Sequence, residues 1–176
     1  MFKRFFTSTK LSPSLTAKIA ALEAHLAEIA GTHVPATLVS RLSPTDMVIT
    51  HVILRRSLDI SVVALDTGDI QGDRLNLIKA VCDNYRYAIT TITPASGALA
   101  GKGALISTAA VPPAFEAGHG VREFQLLSDW SGQEIHAYLT CYKVPHIGSP
   151  ACGTKNGEAL KSGAWWRAHQ HFSDIV

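Results

Sequence analysis

The fold depends most on residues 47–65, which read MVITHVILRRSLDISVVAL. Two runs rich in Val, Ile and Leu, residues 47–54 and 58–65, flank the polar residues 55–57. Short aliphatic, β-branched runs separated by a polar turn are typical of a β-hairpin. The first run is apolar at odd and even positions alike, which indicates a strand covered on both faces. We therefore predict a hairpin over residues 47–65.

A helix is predicted before this stretch, over residues 13–31. Ser12 can accept a hydrogen bond from a free amide of the first turn, and Pro13 suits the first helical position. Apolar residues then recur every three or four positions, and Gly31 supplies an end. The residues of this stripe are Leu15, Ile19, Leu22, Leu26 and Ile29.

Beyond the first hairpin, the pattern predicts a second helix and two more strands. Asp73 can cap a helix that runs to about Asn84. The β-branched and aromatic residues of 85–93 and 104–111 then favour strands. The glycine-rich segment between them does not match a phosphate-binding loop, because its spacing is one residue short and a strand, not a helix, follows. We predict no cofactor.

Residues 121–144 predict a second hairpin, with Ser131 and Gly132 at its turn. A final helix is expected over residues 156–172, where apolar residues repeat every four positions. The whole chain, residues 1–176, is then one domain preceded by a basic arm at residues 1–12.

These elements predict the α+β class. The expected architecture is a single, mainly antiparallel sheet of about five or six strands with three helices packed on it. The order along the chain is α-β-β-α-β-β-β-β-α.

Composition narrows the function classes. With 16 Lys and Arg against 14 Asp and Glu, the net charge of +2 is too small for a nucleic-acid-binding protein. No apolar run is long enough for a transmembrane segment. Three cysteines form no disulfide framework, which favours the cytoplasm. A basic, Ser- and Thr-rich N-terminus leaves targeting to another compartment as the alternative.

The outward face of the second hairpin supplies candidate catalytic residues. Asp129, His136 and Tyr138 would provide an acid, a base and an aromatic wall if this face formed a concavity. A pocket between the sheet and the helices would suit a small-molecule-binding protein or a lyase or isomerase.

A docking surface is predicted at Trp165, Trp166 and Arg167 of the last helix. Adjacent side chains on a helix lie about 100° apart, so one small core does not bury both indoles equally. Trp and Arg are enriched at binding hot spots. This favours a protein partner or a homo-oligomer.

Five potential metal ligands gather late in the chain, but their spacing matches no known zinc motif, so we predict no metal site. They are Cys141, His146, Cys152, His169 and His171.

The sequence therefore predicts a non-enzymatic interaction module or a subunit of a larger protein assembly. The alternative is the small-molecule-binding protein or lyase-type or isomerase-type enzyme with the pocket described above.

Overall fold

The computed structural model describes residues 11–66, 68, 70, 72–93, 99, 103–109 and 121–147. In chain order the described elements are α1 (Pro13–Thr32), β1 (Ala36–Ser40), α2 (Pro44–Arg55), β2 (Ile60–Leu65), α3 (Asp73–Tyr85), β3 (Thr90–Ile92), β4 (Ala104–Ser107), β5 (Arg122–Gln125) and α4 (Gly132–Cys141).

The described strands form one five-stranded sheet in the order β3-β2-β1-β4-β5, and every pairing in it is parallel. In the centre, Leu38 of β1 pairs with Val62 of β2 and with Ile106 of β4. Helix α2 joins β1 to β2 and helix α3 joins β2 to β3, because a chain needs a crossover connection before it can add a parallel strand beside the last one. The predicted α+β class with a mainly antiparallel sheet is wrong. The fold is of the α/β, Rossmann-like type.

The predicted hairpin over residues 47–65 is instead α2 followed by β2. Every residue of α2 from Asp46 to Ile53 is buried, so the helix is covered on all sides. A helix that is apolar all round loses the one-sided stripe by which helices are identified in sequence, and its aliphatic residues then resemble those of a buried strand. Ser43 and Pro44 start this helix.

The predicted hairpin over residues 121–144 is also absent, because β5 is followed by α4. Ser131 is the N-cap of α4, and its hydroxyl accepts a hydrogen bond from the amide of Glu134. A Ser followed three residues later by Glu is a capping box, which starts a helix. Ser131 and Gly132 therefore begin a helix where a hairpin turn was predicted.

The central strand β1 was not predicted from the sequence. Its five residues, ATLVS, lie in a segment bounded by Pro35 and Pro44 that indicates a loop, yet all five are buried. The two edge strands are short, and each carries exposed polar residues: Thr90 and Thr91 in β3, Arg122 and Glu123 in β5.

A single apolar core joins the four described helices to one face of the sheet, which carries Leu38, Val62 and Ile106. The helix predicted for residues 13–31 is present as α1, and its stripe of Leu and Ile residues is buried in this core. A smaller cluster on the opposite face includes Val39, Leu65 and Leu105. Fully burying one such side chain contributes roughly 1.5–3 kcal/mol, so the two clusters stabilise both faces of β1.

Among the helices within the described ranges, none is long and apolar enough to cross a membrane. Residues 1–10 of the arm predicted at 1–12, and the helix predicted at 156–172, lie outside the described residues. That residues 1–176 form one domain stays a prediction.

Candidate functional site

The crevice at the carboxyl ends of β1 and β4 is where this fold most readily holds a ligand. From β1 the chain continues through α2 to β2 on one side, whereas β4 lies against the other side of β1. Connections that leave two neighbouring strands in opposite directions open a crevice beyond the strand ends, and ligands of parallel α/β folds bind there. The residues that follow β1 and β4 therefore define the candidate site.

Small hydroxyl side chains end both strands that flank this crevice. Ser40 ends β1 and is 0% exposed, and Ser107 ends β4 and is 6% exposed. The Oγ of Ser40 accepts a hydrogen bond of 3.0 Å from the amide of Leu42. A buried hydroxyl needs a hydrogen-bond partner to offset its lost hydration. The partner here is the amide of Leu42, so this bond fixes the start of the turn that follows β1.

The turn between β1 and α2, residues 41–43, forms an anion-binding concavity. Leu42 has a φ of 61°, in the left-handed region that residues other than glycine seldom adopt. The amides of Arg41 and Ser43 converge on one atom, Oδ2 of Asp46, at 2.9 and 3.1 Å. Successive backbone amides in a turn conformation can form such nests for anions. The anion in this nest is a side chain of the chain itself.

Asp46 also connects the two sides of the crevice. The hydroxyl of Ser43 donates to Oδ2 at 2.8 Å, and the amide of Asp46 donates to Ser43 Oγ at 3.2 Å, which completes a capping box for α2. Thr108, the residue after β4, donates its hydroxyl to Oδ1. Asp46 is 1% exposed, so these donors replace the water that the carboxylate loses on burial.

A second carboxylate, Asp66, follows β2 at the same edge of the sheet. Its Oδ1 accepts a hydrogen bond of 2.7 Å from the amide of Gly68, and its own amide donates to the carbonyl of Ile92 at 2.8 Å. Asp66 is therefore fixed beside the end of β3. Residues next to β1, β2 and β4 thus place polar groups along one edge of the sheet.

The structure places the three predicted catalytic residues in or beside α4. Asp129 lies in the loop before this helix, and its side chain is 70% exposed. His136 lies on the exposed side of α4, whereas Tyr138 is 1% exposed and faces the core. An outward strand face that would carry all three is not present, and the three side chains have different surroundings.

Tyr138 belongs to a buried aromatic cluster that joins α2, α3 and α4. Its hydroxyl is 2.8 Å from Nδ1 of His51, and its ring lies 4.6 Å from that of Tyr142. The Arg55 guanidinium lies 5.1 Å from the Tyr142 ring centre, a cation–π contact. Burial raises the pKa of Tyr138 and that of Tyr85 above the ordinary range. Both phenols therefore stay protonated at neutral pH, and the cluster holds α2 against α4.

A groove of about 470 Å³ lies between the first turns of α2 and α4. The rings of His136 and His146 have their centres 6.5 Å apart, and Nδ1 of His146 donates to the carbonyl of Val144 at 2.9 Å. Two histidines supply too few ligands for a structural zinc site. Within the described ranges, no three His, Cys, Asp or Glu side chains lie close enough to hold a metal ion. Apolar residues complete the lining: Pro44, Ile135, Leu139 and Ile147.

The capping box of α4 resembles that of α2 but has a different neighbour. The amide and hydroxyl of Ser131 donate to Oε2 of Glu134 at 2.8 and 3.0 Å. Lys18 of α1 also donates to Oε2, at 3.0 Å. The Ser131 amide and the Lys18 ammonium lower the pKa of Glu134, because both stabilise its ionised form. This carboxylate therefore joins α1 to the start of α4.

Several residues that were predicted to bind a partner or a metal lie outside the described residues. They are Trp165, Trp166 and Arg167 of the predicted docking surface and Cys152, His169 and His171 among the possible metal ligands. Cys141 is half-buried in the last turn of α4. Because α4 begins near the carboxyl edge of the sheet, its last turn lies away from that edge.

The residues of the crevice were missed in the sequence, although one signal for them was present. Ser43, Pro44 and Asp46 have the spacing of a capping box with proline at the first helical position. This signal would have placed a helix directly after ATLVS and therefore a turn at residues 41–43. The contact of Asp46 with Thr108 joins residues far apart in the chain, so no local pattern could indicate it.

Comparison with known proteins adds a functional constraint. The chain is 25% identical, over an alignment 217 positions long, to a protein from Burkholderia cepacia named adenosine 5'-phosphosulfate reductase, and the alignment covers 91% of this chain and 87% of that protein. Two proteins of the same name, from Neisseria meningitidis serogroups A and B, are each 26% identical to it over 87% of this chain and 86% of their own length. No family model and no solved structure matches the chain.

This finding corrects the predicted function. The proteins that the chain resembles over most of its length are named as an enzyme, so the prediction of a non-enzymatic interaction module or assembly subunit is wrong. Sequence reasoning reached that prediction because it found no catalytic motif. In this fold the candidate site is built from short turns after separate strands, and such turns carry little local pattern.

Proposed function

We propose that this chain is an enzyme that binds adenosine 5'-phosphosulfate at the carboxyl edge of its sheet and reduces the sulfate group. The observation that carries the proposal is the agreement among relatives, since alignments over most of both chains all lead to proteins with this one name. The topology supports it, because the crevice between neighbouring parallel strands is where folds of this kind bind nucleotides.

Two residues at this edge suit the parts of such a ligand. Asp66 presents a carboxylate next to the end of β2, and carboxylates in this region of nucleotide-binding folds accept hydrogen bonds from ribose hydroxyls. Arg41 follows β1 and carries a guanidinium, which pairs with the oxygens of phosphate and sulfate groups. We assign Asp66 to the ribose and Arg41 to the phosphosulfate.

The reaction requires two electrons. The bond between sulfur and the bridging phosphate oxygen breaks, AMP leaves, and the sulfur is released as sulfite, while a pair of thiols is oxidised to a disulfide. Cys82 and Cys141 lie near the far ends of α3 and α4, about a helix length from the carboxyl edge. We therefore assign to the described residues the binding and orientation of the nucleotide. In the assay described next, a soluble dithiol supplies the two electrons. The sparse cysteines favour the cytoplasm as the compartment.

Calorimetry and a product assay test the proposal. The purified chain is expected to bind adenosine 5'-phosphosulfate more tightly than AMP and to release sulfite and AMP when dithiothreitol is present. Asp66→Asn keeps the shape of the side chain and removes its charge, so the dissociation constant should rise about tenfold.

Asp59→Asn is the matched control. Asp59 is exposed and precedes β2 at the opposite edge of the sheet, so its replacement should leave binding unchanged. Absence of any binding to adenosine 5'-phosphosulfate would refute the proposal. Binding without sulfite release would refute the reductase activity, and equal losses from both variants would refute the assigned site.

A further inference from the structure

We infer that the groove between the first turns of α2 and α4 binds the thiol that reduces the sulfate group, and that His136 accepts the proton of this thiol. The groove is then a second substrate site, next to the nucleotide, with a catalytic base in its wall. This assignment rests on the proposed function, because only the reduction of sulfate requires a thiol.

The described cysteines lie away from the place where the sulfate group would be. Cys82 and Cys141 are near the far ends of α3 and α4, two helices that begin near the carboxyl edge of the sheet. Each cysteine is therefore about 14 Å along its helix from the first residue. Arg41, to which we assign the phosphosulfate, directly follows β1 at this edge. Among the described residues no thiol lies at this site, so we assign the thiol to a separate molecule.

The groove opens beside the site assigned to the phosphosulfate. Pro44 and Thr45, the first residues of α2, line it, and they directly follow the 41–43 turn that contains Arg41. Its volume of about 470 Å³ is within the range of sites that hold small molecules. Apolar side chains form much of the remaining wall. A thiol on a short carbon chain suits such a wall, because its apolar atoms gain free energy when they leave water.

His136 supplies a base in this groove. Imidazole is the side chain that exchanges a proton near neutral pH, and a thiol becomes a nucleophile only when it loses its proton. His136 lies on the exposed side of α4 and lines the groove, so a ligand there can contact its ring. The ring of His146 has its centre 6.5 Å away, and its bond to the Val144 carbonyl fixes it as part of the wall.

The reductant is a molecule with two thiols, and it passes two electrons to the sulfate group. The first thiol gives its proton to His136, and the resulting thiolate forms a bond to the sulfur of the phosphosulfate. The bond from that sulfur to the bridging oxygen breaks, and its electron pair leaves with AMP. The second thiol then loses its proton and attacks the first thiol sulfur. A disulfide forms, and sulfite leaves with the electron pair of the broken bond between the two sulfurs.

Sulfite release at saturating adenosine 5'-phosphosulfate, measured against the concentration of dithiothreitol, tests the role of His136. His136→Asn should lower kcat/KM for dithiothreitol by about a hundredfold at neutral pH and leave the dissociation constant of the nucleotide unchanged. Near pH 9.5 the thiol ionises without a base, so the deficit of the variant should shrink to less than about tenfold. A merely structural role of His136 predicts the same deficit at both pH values.

His25→Asn is the matched control, because His25 is an exposed histidine of α1 that does not line the groove. It should leave kcat/KM for dithiothreitol and the affinity for the nucleotide unchanged. Cys152→Ser should also keep sulfite release, whereas its loss would show that the thiol belongs to the chain itself and would overturn the inference.

Nuclear magnetic resonance of the histidine rings separates the thiol site from the proposed function. Dithiothreitol alone should shift the ring signals of His136 and leave those of His25 in place, and this measurement needs no turnover. A chain that releases no sulfite but shows this shift would refute the reductase activity and retain the thiol site. The inference is overturned if the His136 signals do not respond, or if His136→Asn keeps the wild-type kcat/KM for dithiothreitol or shows an equal deficit at both pH values.

Discussion

Replacement of Tyr138 with Phe tests whether the aromatic cluster holds α2 against α4. The substitution removes one hydroxyl and leaves the ring in place. That hydroxyl is buried and lies 2.8 Å from Nδ1 of His51, which is buried as well. Loss of one partner of a buried hydrogen bond costs about 1–2 kcal/mol, because the ring nitrogen does not regain water. For a chain of this size, each kcal/mol lowers the melting temperature by about 2–4 °C.

The same variant should change how stability depends on alkaline pH. Burial raises the pKa of Tyr138 and of Tyr85 above the ordinary value of 10.0, so the folded chain keeps both protons where the unfolded chain releases them. Unfolding then releases protons, and the free energy of unfolding falls as the pH rises above about 10. Each tyrosine contributes a slope of about 1.4 kcal/mol per pH unit, so Tyr138→Phe should lose about half of the slope that the pair produces.

Urea unfolding followed by circular dichroism, from about pH 8 to about pH 11.5, measures both effects. Tyr85→Phe is the matched control: it should remove a similar part of the alkaline slope, and it should cost less at neutral pH because it leaves the bond to His51 intact. The reasoning is refuted if Tyr138→Phe unfolds at the wild-type urea concentration at neutral pH and keeps the full alkaline slope.

Two further predictions concern the backbone. In Gly103→Ala the new Cβ would lie 2.7 Å from the carbonyl oxygen of Val34 and 2.9 Å from that of His33. The urea midpoint should therefore fall by the equivalent of about 1–3 kcal/mol. Gly31→Ala is the control: its new Cβ has no such neighbour within 4 Å, so it should not lower the midpoint. An unchanged midpoint for Gly103→Ala would contradict the close packing of this segment. Arg86 ends α3 with a φ of 51°, so Arg86→Gly should raise the free energy of unfolding by about 0.5–1 kcal/mol, and a lower melting temperature would count against the left-handed cap.

The sequence predicts α1 well and α2 poorly for the same physical reason. In α1 the residues from Leu15 to Ile29 bury one side only, so their spacing reports the helical period. In α2 the tertiary structure covers every side, and burial then selects aliphatic residues at all positions. Only its capping box distinguished this helix from a strand.

The sequence of α4 is ambiguous in a different way. Ile135, Ala137 and Leu139 alternate with polar residues, which favours a strand, while Ile135 and Leu139 are also four residues apart, which suits a helix. The hydrogen bonds of Ser131 with Glu134 decide between the two. Strand β1 left no such signal. Without β1 the sheet has no parallel centre, so the crevice and its residues could not be placed.

The short strands at the two sides of the sheet have a consequence for association between molecules. β3 has three residues and β5 has four, and each exposes threonine or charged side chains. An edge that is brief and polar offers few unpaired amides in a row and disfavours the dry contacts of stacked sheets. In the part of the chain that the structure describes, the apolar centre of the sheet is therefore bordered by strands that discourage a neighbouring chain from extending the sheet into a fibre.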